Sequence, residues 1–336
     1  MAVGAKIAYI KALVGTLSVQ RFTNLLKVEA SLIASRMMRK PLVSGLPWSA
    51  SIEPTTSCNL RCPECPTGMR SLLRPKGSMT LETFEKVLDR LSSRLMYLTL
   101  YFQGEPMLNP DFAEMAAMAR KRKIFVATST NGHYLDQTNI DKLLSSGLNY
   151  LIVSVDGMDQ ESYSKYRVGG QLQKVTEGIK LLVAERKRRK LHAPFIEIQF
   201  IVMRHNQHQM EPMKAFAKEV GVDRLAFKTA QVYHFDEQNT IISTLKSQSR
   251  YVQTPDGWWT MAKKIKNRCR RIWESVVVTW DGKVVPCCYD KDADYTKGDL
   301  MADPLEAIWY NERYKNFRQQ VLADRKSIEI CRNCGE

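Results

Sequence analysis

The stretch Cys58-Asn59-Leu60-Arg61-Cys62-Pro63-Glu64-Cys65 limits what this chain can become more sharply than any other. Three soft thiols at C-x3-C-x2-C spacing share one short loop, just after the apolar-alternating run Trp48 to Pro54. Zinc is ordinarily closed by four ligands, and no fourth cysteine lies nearby. The loop therefore suits three corners of a [4Fe–4S] cube, with one iron left open to bind something else. The eight cysteines cluster as three plus five at metal-like spacings, which points to a reducing, cytoplasmic setting.

From residue 48 onward, short apolar runs alternate with amphipathic patterns. Strands are expected at Ser51–Pro54, Met96–Tyr101, Ile124–Ser129, Tyr150–Val155, Phe195–Met203 and Arg224–Phe227. Helices are expected at Leu81–Leu95, capped by Thr80, and at Asp111–Arg122, Asp136–Ser146, Gln171–Lys190 and Met210–Val220. Six β-then-α units in series predict an α/β fold with a parallel sheet and right-handed crossovers. Ligands in such folds gather at the carboxyl ends of the strands, which is where the cysteine loop falls.

Charge matters to the choice of partner. Fifty Lys and Arg against 35 Asp and Glu leave a net charge of +15 in 336 residues. That balance favours anionic partners. No aromatic-rich RNA motif or recognition-helix pattern accompanies it, so nucleic acid is unlikely and a solvated basic surface is the simpler reading. The run Arg186 to Lys190 reads as a solvated helix end. Residues 1–40 carry seven basic residues against one acid, Glu29, with apolar residues at helical spacing. They predict helices that pack on the catalytic domain; the alternative is peripheral contact with anionic lipid. The apolar stretch Ile7 to Val19 is too short to span a bilayer and is interrupted by Lys11.

Together with Gln103-Gly104-Glu105-Pro106 one βα unit later, the thiol loop resembles the signature of the radical S-adenosylmethionine (SAM) superfamily. The resemblance implies a partial (β/α)6 TIM-like barrel. It also implies that Cys58, Cys62 and Cys65 bind a [4Fe–4S] cluster whose open iron chelates SAM, and that reductive cleavage of SAM yields a 5′-deoxyadenosyl radical. The Gly-Glu-Pro segment would hold the SAM amino group through backbone carbonyls and the Glu105 side chain. Gly104 permits the close approach, and Pro106 fixes the turn. Thr130 and Asn131, in Thr128-Ser129-Thr130-Asn131-Gly132, match a family segment near the cofactor, although a polar strand-to-helix turn reads the same way. Ser154 and Asp156 match positions near the SAM ribose and carboxylate. Arg167 sits where the family often contacts SAM, against the plainer reading of an exposed helix-end charge, and Gln199 is expected to point into the barrel. Glu64 departs from the pattern, because many relatives carry an aromatic residue there.

The remaining cysteines follow C-x12-G-x4-C…C-x2-C, from Cys269 through Gly282 and Cys287 to Cys331 and Cys334. This resembles the SPASM/twitch extension, which implies auxiliary iron–sulfur binding. Cys269, Cys287, Cys331 and Cys334 would saturate one auxiliary [4Fe–4S] cluster. Cys288 is spare, and the choice between Cys287 and Cys288 stays open, as does a structural four-cysteine zinc site. With Glu336 following so closely on Cys334, a second auxiliary cluster is not expected. A hairpin is predicted over Ser275–Trp280 and Lys283–Val285, turning at Asp281-Gly282, followed by a helix over Pro304–Leu322. The expected divisions are a basic helical extension (1–47), the partial barrel (48–228), a bridging segment (229–268) and a small iron–sulfur domain (269–336).

The function expected from this resemblance is oxidative modification, most simply dehydrogenation, of a small molecule, with one auxiliary cluster assisting. Peptide maturation by crosslinking or residue oxidation is the runner-up, and a non-catalytic iron–sulfur carrier is the alternative of another class. Electrons would arrive from a low-potential donor such as flavodoxin or ferredoxin. Neither the substrate nor a catalytic base can be read from the sequence.

Overall fold

The computed structural model of the chain describes residues 3–91, 93–233 and 239–335. Its frame is six parallel strands in sequence order: β1 (Ser49–Ile52), β2 (Tyr97–Leu100), β3 (Phe125–Thr130), β4 (Tyr150–Ser154), β5 (Phe195–Val202) and β6 (Arg224–Thr229). Each pairs with its predecessor, for example Ser49 with Tyr97 and Tyr150 with Phe195. The two ends of the sheet do not meet, so the barrel is partial. The middle strands bury both faces, which is why Phe125–Thr130 and Phe195–Val202 read as near-continuous apolar runs. The strand limits lie within two residues of the predicted ones.

Helices α1 (Val3–Val14) and α2 (Val19–Met38) precede the sheet. The crossovers are α3 (Leu81–Leu91), α4 (Phe112–Lys121), α5 (Gln137–Ser145), α6 (Gln160–Tyr166), α7 (Leu172–Arg188) and α8 (Met210–Val220). Thr80 caps α3 by accepting from the Thr83 N–H at 3.1 Å. The short α6 is an addition to the predicted elements. Asp159 caps it, accepting from the Ser162 N–H at 2.8 Å, and it delivers Arg167 at its carboxyl end.

The segment after β6 is ordered by a small hairpin, β7 (Tyr251–Gln253) with β8 (Trp259–Met261), and by an isolated bridge from Ile242 to Met203. A short helix, α9 (Arg271–Glu274), then feeds β9 (Ser275–Val278), which lies parallel to β1. Strands β10 (Lys283–Val285) and β11 (Gly298–Asp299) continue antiparallel from there, making one nine-stranded sheet. The β9–β10 turn falls at Asp281-Gly282, where Gly282 has φ +88°. The helix predicted over Pro304–Leu322 is instead two, α10 (Leu305–Trp309) and α11 (Glu312–Asp324). Asn311 breaks it by turning its side chain to cap the second, accepting from the Tyr314 N–H at 2.8 Å.

The N-terminal helices lie across the amino ends of the strands. Tyr9 packs edge-on against Phe125 and Tyr150 and tilts against Phe195, the first residues of three adjacent strands. Buried Arg21 donates to the carbonyls of Thr16, Arg122 and Lys123, and Asn24 clasps the backbone of Leu46 at 2.8 and 2.9 Å. The basic run also differs from the expected solvated end, because Arg186 is buried on Asp223 and the Pro194 carbonyl. No described helix is long and apolar enough to cross a membrane.

Candidate functional site

The cysteine loop leaves β1 at its carboxyl end and folds back on itself tightly. Glu64 adopts φ +65°, and a Cβ on Gly68 would stand 2.5 Å from the Cys62 carbonyl oxygen, so only glycine lets the loop close there. Further tethers come from the Arg61 N–H to the Val168 carbonyl (2.9 Å) and the Met69 N–H to the Cys65 carbonyl (2.8 Å). Cys58, Cys62 and Cys65 share an apolar shell with Leu60, Tyr166, Met203 and Ala230. Burial pushes the Cys62 thiol up to about 11 and raises Cys58 as well, each thiol also feeling its neighbours. Iron binding here must therefore displace protons, and pairing with a cation is what makes thiolate formation favourable.

All three thiols line a cavity of about 410 Å³ at the carboxyl ends of the strands. Gln103, Gly104, Glu105, Thr130, Asn131, Ser154, Arg167 and Gln199 line it too. Gly104 has φ +75°, and a Cβ there would lie 2.3 Å from the Thr55 carbonyl, which leaves the backbone close to any occupant. The Glu105 carboxylate is buried and accepts from Thr130 Oγ1 (2.7 Å), the Asn131 N–H (2.7 Å) and the Met107 N–H (3.2 Å). Burial drives this carboxyl upward while those donors oppose the shift. A carboxylate has about four lone-pair sites, so one acceptor position remains for an incoming ammonium.

Two residues of the predicted set stand elsewhere. Pro106 is buried behind the cavity wall, where it opens a single 3-10 turn. Asp156 is fully buried and lies outside the cavity lining, one residue removed from it through Arg167. It accepts from Arg167 Nε (2.6 Å), Arg167 Nη2 (2.5 Å) and the Ile201 N–H (2.6 Å). Asp156 is thus a positioning residue. It holds Arg167 with Nη1 at 3.9 Å from Cys62 Sγ, and the side chain is 13% exposed and not a solvated helix-end charge.

Three further cations of the cavity lining were not foreseen. Lys228 from β6, Arg250 before β7 and Lys291 after β10 line the same cavity, and none forms an ion pair among the described residues. Arg250 donates to Thr229 Oγ1 at 3.2 Å, and Lys291 donates to the Tyr233 hydroxyl. Burial pushes the Lys291 ammonium down. Lone Lys and Arg residues scattered over 60 positions carry no spacing signal; the fold brings them together. Glu64, in the place of the missing aromatic, accepts from the Tyr233 N–H at 2.6 Å and so ties the cysteine loop to the segment that carries Arg250.

Cys269, Cys287, Cys331 and Cys334 form a second group. The Cys287 thiol is raised well above its usual value by burial and by neighbouring Cys288, Cys269 and Cys331, and that of Cys331 is pushed up to about 11. Cys288, also beside Cys287, packs with Phe102, Val277 and Val285 and accepts from Arg271 Nη1 at 3.6 Å. Arg325, 1% exposed, donates to the Arg268 carbonyl at 2.8 Å and stands beside Cys269, Cys331 and Cys334. It is a cation that sequence spacing gave no reason to single out. Among the described residues no three His, Cys, Asp or Glu side chains close up to a single-ion site. A cube distributes its thiolates over four irons and needs no such closure.

Comparison with known families decides what the geometry belongs to. The radical SAM superfamily profile matches residues 52–215, and that of an iron–sulfur cluster-binding domain, SPASM, matches 269–335. The chain belongs to the radical SAM superfamily. Radical SAM enzymes with this second domain use a [4Fe–4S] cluster, SAM and auxiliary iron–sulfur binding, and they cleave SAM reductively, so the carrier alternative falls. The donor sets fit: three thiols beside a glycine-lined cavity, and four more, of which Cys269, Cys331 and Cys334 stand beside Arg325 and Cys287 stands beside Cys269 and Cys331.

One curated relative is the tungsten-containing aldehyde ferredoxin oxidoreductase cofactor-modifying protein of Pyrococcus furiosus. It is 27% identical over 311 residues, 84% of this chain and 86% of that protein. A PqqA peptide cyclase of Streptomyces rochei is 25% identical over 89% of this chain and 84% of its own length. Among solved structures, SuiB of Streptococcus suis bound to SAM shares the fold with a TM-score of 0.63 at 14% identity, over 91% of this chain and 75% of that one.

Proposed function

We propose that this radical SAM enzyme dehydrogenates a compact small molecule bearing a carboxylate or phosphate. The observation that carries the reading is the set of three cations, Lys228, Arg250 and Lys291, that line the cavity with the thiols and form no ion pair among the described residues. Positive charge held in a partly desolvated wall is costly until an anion joins it. A substrate anchored there would present its C–H bonds toward the thiol loop.

In this reading Cys58, Cys62 and Cys65 hold the SAM-binding cluster, and Gln103, Gly104, Glu105, Thr130, Asn131, Ser154, Arg167 and Gln199 surround SAM. Once bound, cluster and SAM would supply the radical chemistry that takes one hydrogen atom from the substrate. The chain's own share is to orient that C–H, exclude water and hold the anion still. Dehydrogenation also releases a second electron and a proton. Cys269, Cys287, Cys331 and Cys334 would hold a cluster able to take up that electron, and the proton would pass to solvent. The first electron would come from a flavodoxin- or ferredoxin-type donor.

The test is an anaerobic screen of the reconstituted enzyme with SAM, reductant and a panel of carboxylated, phosphorylated and neutral small molecules. An anionic compound should accelerate 5′-deoxyadenosine formation and emerge two hydrogens lighter. Acceleration by neutral compounds alone would overturn the reading. Peptide modification is the second reading, favoured by similarity to a peptide cyclase over most of both chains. Turnover of peptides to the exclusion of small molecules would establish it instead.

A further inference from the structure

Docking on the barrel uses only one face of each N-terminal helix. On α1, Tyr9, Ala12 and Leu13 turn inward, while Ile7, Ile10 and Val14 are 47–58% exposed. On α2, Arg21, Asn24, Val28 and Leu32 are buried, while Phe22, Leu26, Ile33 and Met37, spaced i, i+4, i+11, i+15, form a second stripe that is 49–80% exposed. Ten of the twenty-one large apolar side chains found exposed lie within residues 7–38. A patch of that density on a water-facing surface marks an interaction site.

The charges say what covers it. At 100° per residue, Lys6 and Lys11 flank the α1 stripe on its two sides, and Lys27 and Arg36 flank the α2 stripe in the same way. Arg39 and Lys40 close the end of α2. All six cations are exposed, and none pairs with an acid among the described residues. Glu29, the one acid of this stretch, is taken by Arg270. An apolar stripe edged by long cationic side chains is the pattern of a helix lying in a lipid headgroup layer, where lysine and arginine stems reach up to phosphate. A second copy of the chain would set these cations against an identical set, which like charges oppose.

We propose that the outer faces of α1 and α2 form one platform that seats the enzyme on an anionic membrane surface. The platform lies at the amino ends of the strands, and the cavity opens at their carboxyl ends, so docking leaves the mouth free. The proposal is independent of the substrate reading. It is an interfacial contact, because no described helix is long and apolar enough to cross.

Sedimentation of the reconstituted full-length protein with vesicles tests it. Vesicles of phosphatidylcholine with one-quarter phosphatidylglycerol should capture the protein at least about tenfold more strongly than phosphatidylcholine alone. High salt should remove most of that preference. The double variant Phe22→Glu/Leu26→Glu should lose binding while keeping its thermal midpoint and its rate of SAM cleavage. Lys6→Gln/Lys11→Gln/Lys27→Gln should lose the anionic preference with equally intact folding. Equal binding to both vesicle types, or full binding by either variant, would overturn the proposal. So would a wild-type dimer that Phe22→Glu/Leu26→Glu dissociates and that ignores vesicles.

Discussion

Arg167 shows how much of the site depends on a residue that touches no cavity. Its guanidinium stands beside the Cys62 thiol on the cavity lining only because fully buried Asp156 grips two of its nitrogens. Asp156→Asn removes the charge and one acceptor, leaving a buried cation poorly matched. It should lower stability by about 3 kcal/mol and slow 5′-deoxyadenosine formation about tenfold or more, read from the thermal midpoint and an anaerobic assay. A second residue makes the stability pH-dependent. Burial, reinforced by Glu29, pushes the Glu274 carboxyl up to about 7 against the favourable pull of Arg270. Between its ordinary 4.5 and 7 the folded chain binds the extra proton, so this group's contribution to stability falls as pH rises through that window and is flat above it. Glu274→Gln should flatten the pH dependence and raise the midpoint at pH 8 by about 2 °C, measured by thermal melts from pH 4 to pH 9. The thiols and the Gly-Glu-Pro turn were legible in the sequence because their spacing is local. Asp156 was legible as an acid that matches a family position near SAM, but not as Arg167's holder. That role depends on β4 and β5 pairing, which brings the Ile201 N–H to the same carboxylate.

Secondary-structure elements were legible wherever burial imposes a period. Strands β3 to β5 bury both faces, and helices α3 and α8 bury one, so their hydrophobic patterns mark them. Helix α6 escaped because its seven residues, Gln160 to Tyr166, are mostly polar; only the Asp159 cap announces it. The split at Asn311 escaped for the opposite reason: helical periodicity runs through it, and a capping side chain overrides propensity. What no periodicity forecasts is the latch between the barrel and the C-terminal strands. Buried Glu53, just past β1, pairs bidentately with Arg74 at 2.5 and 2.8 Å. It also accepts from the Trp280 N–H at 3.1 Å, while Arg74 Nε donates to the Lys291 carbonyl at 2.6 Å. One ion pair thus fixes the β9–β10 turn and a cationic residue of the cavity wall. Arg74→Met strands a buried carboxylate and should cost about 3–5 kcal/mol. Glu53→Gln/Arg74→Met, which removes the charge from both partners, should recover much of that stability. If the latch also places Lys291, the double variant will still bind its substrate weakly, seen as a raised KM at nearly unchanged kcat.

At the scale of the whole molecule, the continuous nine-stranded sheet puts two thiol groups on one rigid body. The first group stands at the carboxyl end of β1. Cys269 and Cys287 flank β9 and β10, the strands that extend the sheet from β1's other edge. The two sites are therefore linked by backbone hydrogen bonds and not by a flexible tether, which suits electron transfer between them. They are also assembled from separate residues, so one should survive loss of the other. Cys58→Ala/Cys62→Ala/Cys65→Ala should abolish reductive SAM cleavage yet retain about four irons per chain, the complement of one cube. Arg325 lies beside three of the remaining thiols, and removing a cation next to a cluster should make reduction harder. In the same triple background, Arg325→Gln should accordingly shift the retained cluster's midpoint potential downward with iron content unchanged. Loss of all iron from the triple variant, or zinc in its place, would show that Cys269, Cys287, Cys331 and Cys334 do not hold an independent cluster. A potential indifferent to Arg325→Gln would leave the cluster in place but assign that arginine to packing alone.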